Sequence, residues 1–76
     1  MKLSERITIN SDVMNGKPAI RNMRFSVKQM LELLASGMTK EQILDDYPFL
    51  EDDDISACLE YAARLADSGS RHRLSA

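Results

Sequence analysis

The 76-residue sequence has one cysteine, one histidine and no apolar run long enough to span a membrane. Each scarcity closes a route. A lone cysteine, Cys58, cannot form an internal disulfide, and without a Cys/His cluster there is no zinc site to staple a small fold. A bilayer-crossing helix needs roughly 20 consecutive apolar residues. The first residues, Met1-Lys2-Leu3-Ser4-Glu5-Arg6, contain no signal-peptide core. A soluble protein of a reducing, cytoplasmic compartment is the expectation, with no membrane partner. A chain this short buries only about 60% of its unfolded surface, so its own core is marginal. Small folds of that kind lean on disulfides, a metal or a second subunit. With the first two excluded, a homodimer is expected.

Catalytic groups are equally scarce. His72 lies in the terminal segment, and Cys58 falls on an apolar stripe, where packing is its expected role. The run Asp52-Asp53-Asp54 lacks the alternating oxygen ligands and the glycine of a calcium loop. No catalytic, cofactor-binding or metal-ligating residue is expected, and therefore no enzyme.

The net charge is only −2, which argues against a purely electrostatic nucleic-acid binder. Its distribution says more. Between Val13 and Leu31 the charged residues are Lys17, Arg21, Arg24 and Lys28, with no acid among them. Between Asp45 and Glu60 they are Asp45, Asp46, Glu51, Asp52, Asp53, Asp54 and Glu60, with no base. The chain is electrically polar along its length.

Ile7-Thr8-Ile9 is short and β-branched, as a strand requires. Asn15-Gly16 suits the two positive φ angles of a type I′ turn. Pro18 removes a donor and limits Lys17 to Arg21 to an edge strand or extended arm. Residues 1–25 are thus expected to form a β-like arm. Helical signals begin at Ser26. Ser26-Val27-Lys28-Gln29 matches a capping box, with Phe25 and Met30 placed as a hydrophobic staple. Val27, Met30, Leu31 and Leu34 then follow a helical stripe until Gly37 stops it. Thr39-Lys40-Glu41-Gln42 repeats the box, Met38 and Ile43 repeat the staple, and Pro48 ends the second helix by Tyr47. A third helix should start near Glu51 or Asp52, its acids suiting the positive end of the dipole. Ile55, Cys58, Leu59, Ala62 and Ala66 read as its buried stripe. The expectation is one mainly α domain over 1–66, with helices of about 10, 8 and 15 residues in 26–66. Val27, Leu31, Ile43 and Leu59 should face one another. A flexible, basic tail over 67–76 follows.

Several blocks resemble the domain-of-unknown-function 433 family. They are Gly16-Lys17-Pro18-Ala19-Ile20-Arg21, Arg24-Phe25-Ser26-Val27 and Leu31-Glu32-Leu33-Leu34-Ala35-Ser36-Gly37. Glu41-Gln42-Ile43-Leu44-Asp45-Asp46-Tyr47-Pro48 and Asp54-Ile55 with Tyr61-Ala62 continue the pattern, covering about residues 7 to 63. The resemblance implies a homeodomain-like three-helix fold, commonly dimeric, and an antitoxin role beside a PIN-like ribonuclease toxin. The chain departs from the family at three places. Asn22-Met23 stands for the usual Gly-Thr between the two arginines, Ser26 for a proline, and Glu51 for a threonine cap. Asparagine can still take a left-handed turn.

Read as a helix-turn-helix over Glu41 to Leu65, the unit would place its second helix in the major groove with the first residues on base edges. Those residues are Glu51 to Asp54, which phosphates repel. Operator DNA would have to be met differently, by Lys17, Arg21, Arg24 and Lys28 on phosphates. Doubled by dimerisation, such binding falls steeply with salt. The same bases could equally pair with the acidic helices. Antitoxins of ribonucleases often place a cationic group among the metal-binding carboxylates of the toxin, and Arg71 and Arg73 are the candidates here. The alternatives are a transcriptional regulator without a toxin and a dimeric protein-interaction module.

Overall fold

The structure is a computed structural model and describes residues 2–67. A 3-10 turn at Leu3–Arg6 leads into strand β1 (Ile7–Thr8), and a second turn at Met14–Gly16 leads into β2 (Ala19–Ile20). Three helices follow: α1 (Val27–Ala35), α2 (Lys40–Asp46) and α3 (Asp52–Asp67). The architecture is mainly helical with a small N-terminal sheet, as the periodicity and capping signals predict.

The strands pair antiparallel, with Ile7 opposite Ile20 and Thr8 opposite Ala19. The other edge of β2 is partly covered by its own continuation, since Ala19 bridges Ser26 and the Val27 amide donates to the Pro18 carbonyl at 3.0 Å. Pro18 therefore sits where only its acceptor is used. The Asn15-Gly16 turn forms, and a second one precedes it. Met14, Asn15 and Gly16 all have positive φ (55°, 57° and 79°), with the Gly16 and Lys17 amides bonded back to Val13 and Met14. The result is one short left-handed coil, which glycine and asparagine tolerate best.

Each helix starts where its cap stands. The Ser26 hydroxyl accepts from the Gln29 amide at 3.0 Å. Only that half of the first box forms. The second box is complete: the Gln42 amide donates to Thr39 Oγ1 (3.1 Å) and the Thr39 amide to Gln42 Oε1 (2.9 Å). Gly37, at φ 100°, closes α1 with the paired bonds of a Schellman motif, Gly37 to Leu34 and Met38 to Leu33. Thr39→Ala should therefore cost about 1 kcal/mol. Urea unfolding would measure it, and Thr39→Ser should recover most of the loss.

The core is Ile20, Phe25, Val27, Met30, Ile43, Leu50, Ile55 and Cys58, with Leu31, Leu34, Tyr47 and Tyr61 packed partly against it. Burial pushes the Cys58 thiol up to about 12, with the nearby Asp54 charge adding to the effect, so it is an apolar filler there. Leu59 corrects the expected stripe. It is 49% exposed and Ala66 is exposed too, while Asp54, Ile55, Ala57 and Cys58 are buried. The buried face of α3 runs through Asp54, Ile55, Cys58 and Tyr61, and at ~100° per residue Leu59 is carried off it. The helix also includes Asp67, one residue beyond the expected end of the domain. Among the described residues no helix is long and apolar enough to cross a membrane.

Candidate functional site

The site begins with a backbone that its residues do not favour. Arg21 and Asn22 have positive φ (47° and 58°), and the Met23 amide donates to the Ile20 carbonyl at 2.8 Å. These are the marks of a type I′ turn, which prefers glycine and asparagine at its two centres. Asn22 suits its position. Arg21 does not, and a non-glycine residue held left-handed costs about 1–3 kcal/mol.

What holds it is a buried carboxylate. Asp54 is fully buried at the start of α3. Its Oδ1 accepts from Arg21 Nε (3.1 Å) and Arg6 Nη1 (2.9 Å). Its Oδ2 accepts from Arg21 Nη2 (2.7 Å) and from the Glu51 amide (2.8 Å). Two guanidinium groups and a helix N-terminus thus share one carboxylate, and its four acceptor positions are filled. Burial alone would push the Asp54 carboxyl up. The hydrogen bonds from Arg21, the Glu51 amide and Arg6 outweigh that and hold it below the usual carboxylate value. Further bonds fix the turn from either side. The Arg21 amide donates to the Arg6 carbonyl (2.8 Å), the Asn22 amide to Thr8 Oγ1 (2.8 Å), and Arg21 Nη2 to the Phe49 carbonyl (3.1 Å).

The remaining acids at the start of α3 are also engaged. Arg6 lies 2.7 Å from Glu51 and 3.7 Å from Asp53, and Lys40 lies 2.9 Å from Asp52. These outer pairs are solvent-facing and add little stability. Their effect is on charge: three cations of the same chain, Arg6, Arg21 and Lys40, offset most of the four acids at the end of α3 that would meet base edges.

The turn presents an exposed edge. Ile9 is 65% exposed and Phe49 52% exposed, and Arg24 points to solvent. Phe49 is held by edge-to-face contacts with Phe25 and Tyr47, whose centroids lie 6.1 and 6.2 Å away. Ile9 is tied in through its neighbour Asn10, whose side chain reaches Asn22 at 3.5 Å. Exposed Arg24 thus follows a braced turn, and the segments that expose Ile9 and Phe49 are each hydrogen-bonded to that turn.

The four basic residues singled out from the sequence divide. Arg21 turns inward to Asp54, and Arg24 stays exposed on the turn. Lys17 and Lys28 come together at a separate groove of ≈ 580 Å³, between α1 and the last turns of α3. Arg71 and Arg73 lie outside the described residues. Arg6 and Phe49 were missed, for neither falls in a motif. Asp54 was legible in part, since it stands three residues after Glu51 and four before Cys58, on the core stripe. Among the described residues no three of His, Cys, Asp and Glu gather as a metal-holding group.

The profile of the DUF433 family, described as proteins of unknown function, matches residues 7–62. The fold is similar to the crystal structure of a DUF433 member protein from Anabaena variabilis ATCC 29413, with a TM-score of 0.75 and 29% identity over 82% of this chain. The match spans 61% of that longer protein. The sequence matches none of the curated proteins with which it was compared.

Proposed function

The chain belongs to the DUF433 family, and from that premise we propose that it is an antitoxin-like module that binds a PIN-like ribonuclease toxin through the edge of the Arg21 turn. One observation carries this reading: a strained turn, locked onto the fully buried Asp54 carboxylate, is tied to two segments that expose Ile9 and Phe49, and exposed Arg24 follows it in the chain. Strain that the surroundings over-determine marks functional positions more often than structural ones. The chemistry suits the partner. A ribonuclease cleft lined by metal-binding carboxylates attracts a guanidinium, and Arg makes planar, two-pronged contacts with carboxylates. Exposed aromatic and aliphatic neighbours supply the apolar contact that anchors such a charge. Glu51, Asp52 and Asp54 are engaged by cations of their own chain and so are not free to reach base edges, which supports a protein partner over major-groove recognition by α3.

The test is whether a PIN-like protein is encoded beside this chain and co-purifies with it, read by residual ribonuclease activity. Arg24→Glu and Phe49→Ala should each weaken inhibition at least about tenfold, with helical content unchanged. Inhibition equal to wild type in both variants would remove this edge from the contact. A mobility shift on upstream DNA that survives in both would favour a regulator instead.

A further inference from the structure

The groove between α1 and the last turns of α3 lies apart from the Arg21 turn and has chemistry of its own. Three parts of the chain meet in it: Met14, Lys17 and Pro18 of the arm, one side of α1, and Tyr61 with Leu65 of α3. Its volume of ≈ 580 Å³ falls within the range of about 300–1,000 Å³ usual for sites that hold small organic molecules. Along α1 the lining runs from Val27 through Leu31 to Ala35, a span of about 12 Å at 1.5 Å per residue. The walls are apolar over that span, and Leu65 in one of them is 60% exposed. The shape is a slot.

Charge stands at one end of it. The Val27 amide donates to the Pro18 carbonyl at 3.0 Å, which sets Lys17 of the arm beside Lys28 of α1. Lys17 makes no ion pair among the described residues. Lys28 has only a loose contact of 4.0 Å with Glu32, the one acid of the lining, which stands a turn further along α1. On α3, Glu60 and Arg64 pair with each other at 3.2 Å, and neither they nor Asp67 line the groove. The lining therefore carries one net positive charge, concentrated where the arm meets α1.

We infer that the groove binds a free, single-chain carboxylic acid of about eight to ten carbons, as long as its apolar span. The head lies between Lys17 and Lys28, and the tail runs along Leu31 and Ala35 against Tyr61 and Leu65. A monoanion neutralises the single surplus charge, whereas a phosphate ester exceeds it. Few polar groups at one end of an apolar recess are the pattern by which such sites fix the orientation of a ligand. The aliphatic stems of the two lysines extend the apolar wall up to the head group. A partner helix would meet charge along its length, and here the cations stand at one end. The slot is also recessed between two helices, which suits a single molecule better than a bilayer surface. It shares no residue with the Ile9, Arg24 and Phe49 edge, so the inference does not rest on the toxin reading.

Titration of the intact chain with decanoate at neutral pH, below its micelle-forming concentration and followed by amide NMR, decides it. Saturable shifts should centre on Lys17, Lys28, Leu31, Tyr61 and Leu65. The dissociation constant should fall below about 1 mM, as ordinary efficiency per atom gives for a ligand of this size. Decanoate should also raise the thermal midpoint, since it binds only the folded chain. Decyltrimethylammonium, with the same tail and the opposite head, should bind at least about tenfold more weakly. The double variant Lys17→Glu, Lys28→Glu should lose decanoate by a similar factor, and Leu65→Asp should lose both probes. All three positions are exposed, so far-UV circular dichroism should be retained. Absence of saturable shifts overturns the inference, whether the groove stays empty or a second copy of the chain covers it. So do equal affinities for the two probes, or shifts centred on Phe49. Flotation with phosphatidylglycerol vesicles by a chain that ignores decanoate would assign the lysines to a membrane surface, which also overturns it.

Discussion

Asp54→Ala is expected to remove about 3–5 kcal/mol of folding stability, the cost of breaking a buried ion pair from one side. The reason lies in what stays behind. Arg21 and Arg6 would keep their positions, with side chains 27% and 12% exposed, and lose the carboxylate that neutralises them. The Glu51 amide at the start of α3 would lose its acceptor as well. A domain of this size has a total stability at the low end of about 5–15 kcal/mol. The variant should therefore be largely unfolded at room temperature, by far-UV circular dichroism and urea titration. A loss below about 1 kcal/mol would show that solvent replaces the carboxylate, and that the turn is not held as described. The same site fixes an acid limb. Its folded-state pKa lies below the ordinary 3.8, so the unfolded chain takes up the proton first as pH falls. Its contribution is complete above about pH 4 and is lost as pH falls further through the folded value. Asp54→Asn should start less stable at neutral pH and show a shallower decline below pH 4 than wild type.

Ile43→Ala should cost about 2–5 kcal/mol, the range for emptying a large buried aliphatic position. It is fully buried and is the sole buried residue among the seven of α2. A helix of two turns has no independent stability in water, so its place depends chiefly on that side chain and on the Thr39 cap, with Leu44 packed partly against the core. The damage should be local. Hydrogen exchange should quicken across Lys40 to Asp46 before it quickens in α1, and uniform exchange across the helices would contradict Ile43 as the main anchor of α2.

The helices were legible because their signals are local. Ser26, Thr39, Gly37 and Pro48 act within one turn of their own position, and periodicity assigns Val27, Met30, Ile43 and Ile55 to the interior. The failure at Leu59 has a physical cause. In a stretch where Cys58, Leu59, Ala62, Ala63, Leu65 and Ala66 are all apolar, periodicity sets no single face, and tertiary contact chooses. The site was less legible for a different reason. Asp54 looked like one of four solvated acids, and Arg21 like one of four free bases. Nothing near either residue announces a partner 33 positions away. The φ of Asn22 was foreseeable from its residue type, whereas that of Arg21 ran against its type and is imposed by the ion pair.

That long reach makes the exposed edge a certificate of completion. Arg6, Arg21 and Asp54 are separated by up to 48 positions in the chain, and none can set the turn without the others. A fragment that stops before Asp52 holds every residue from Ile9 to Phe49 and lacks the buried carboxylate that locks the turn. On the proposed reading, a nascent chain, a clipped chain and one whose third helix has frayed should all bind the partner more weakly than the folded chain does.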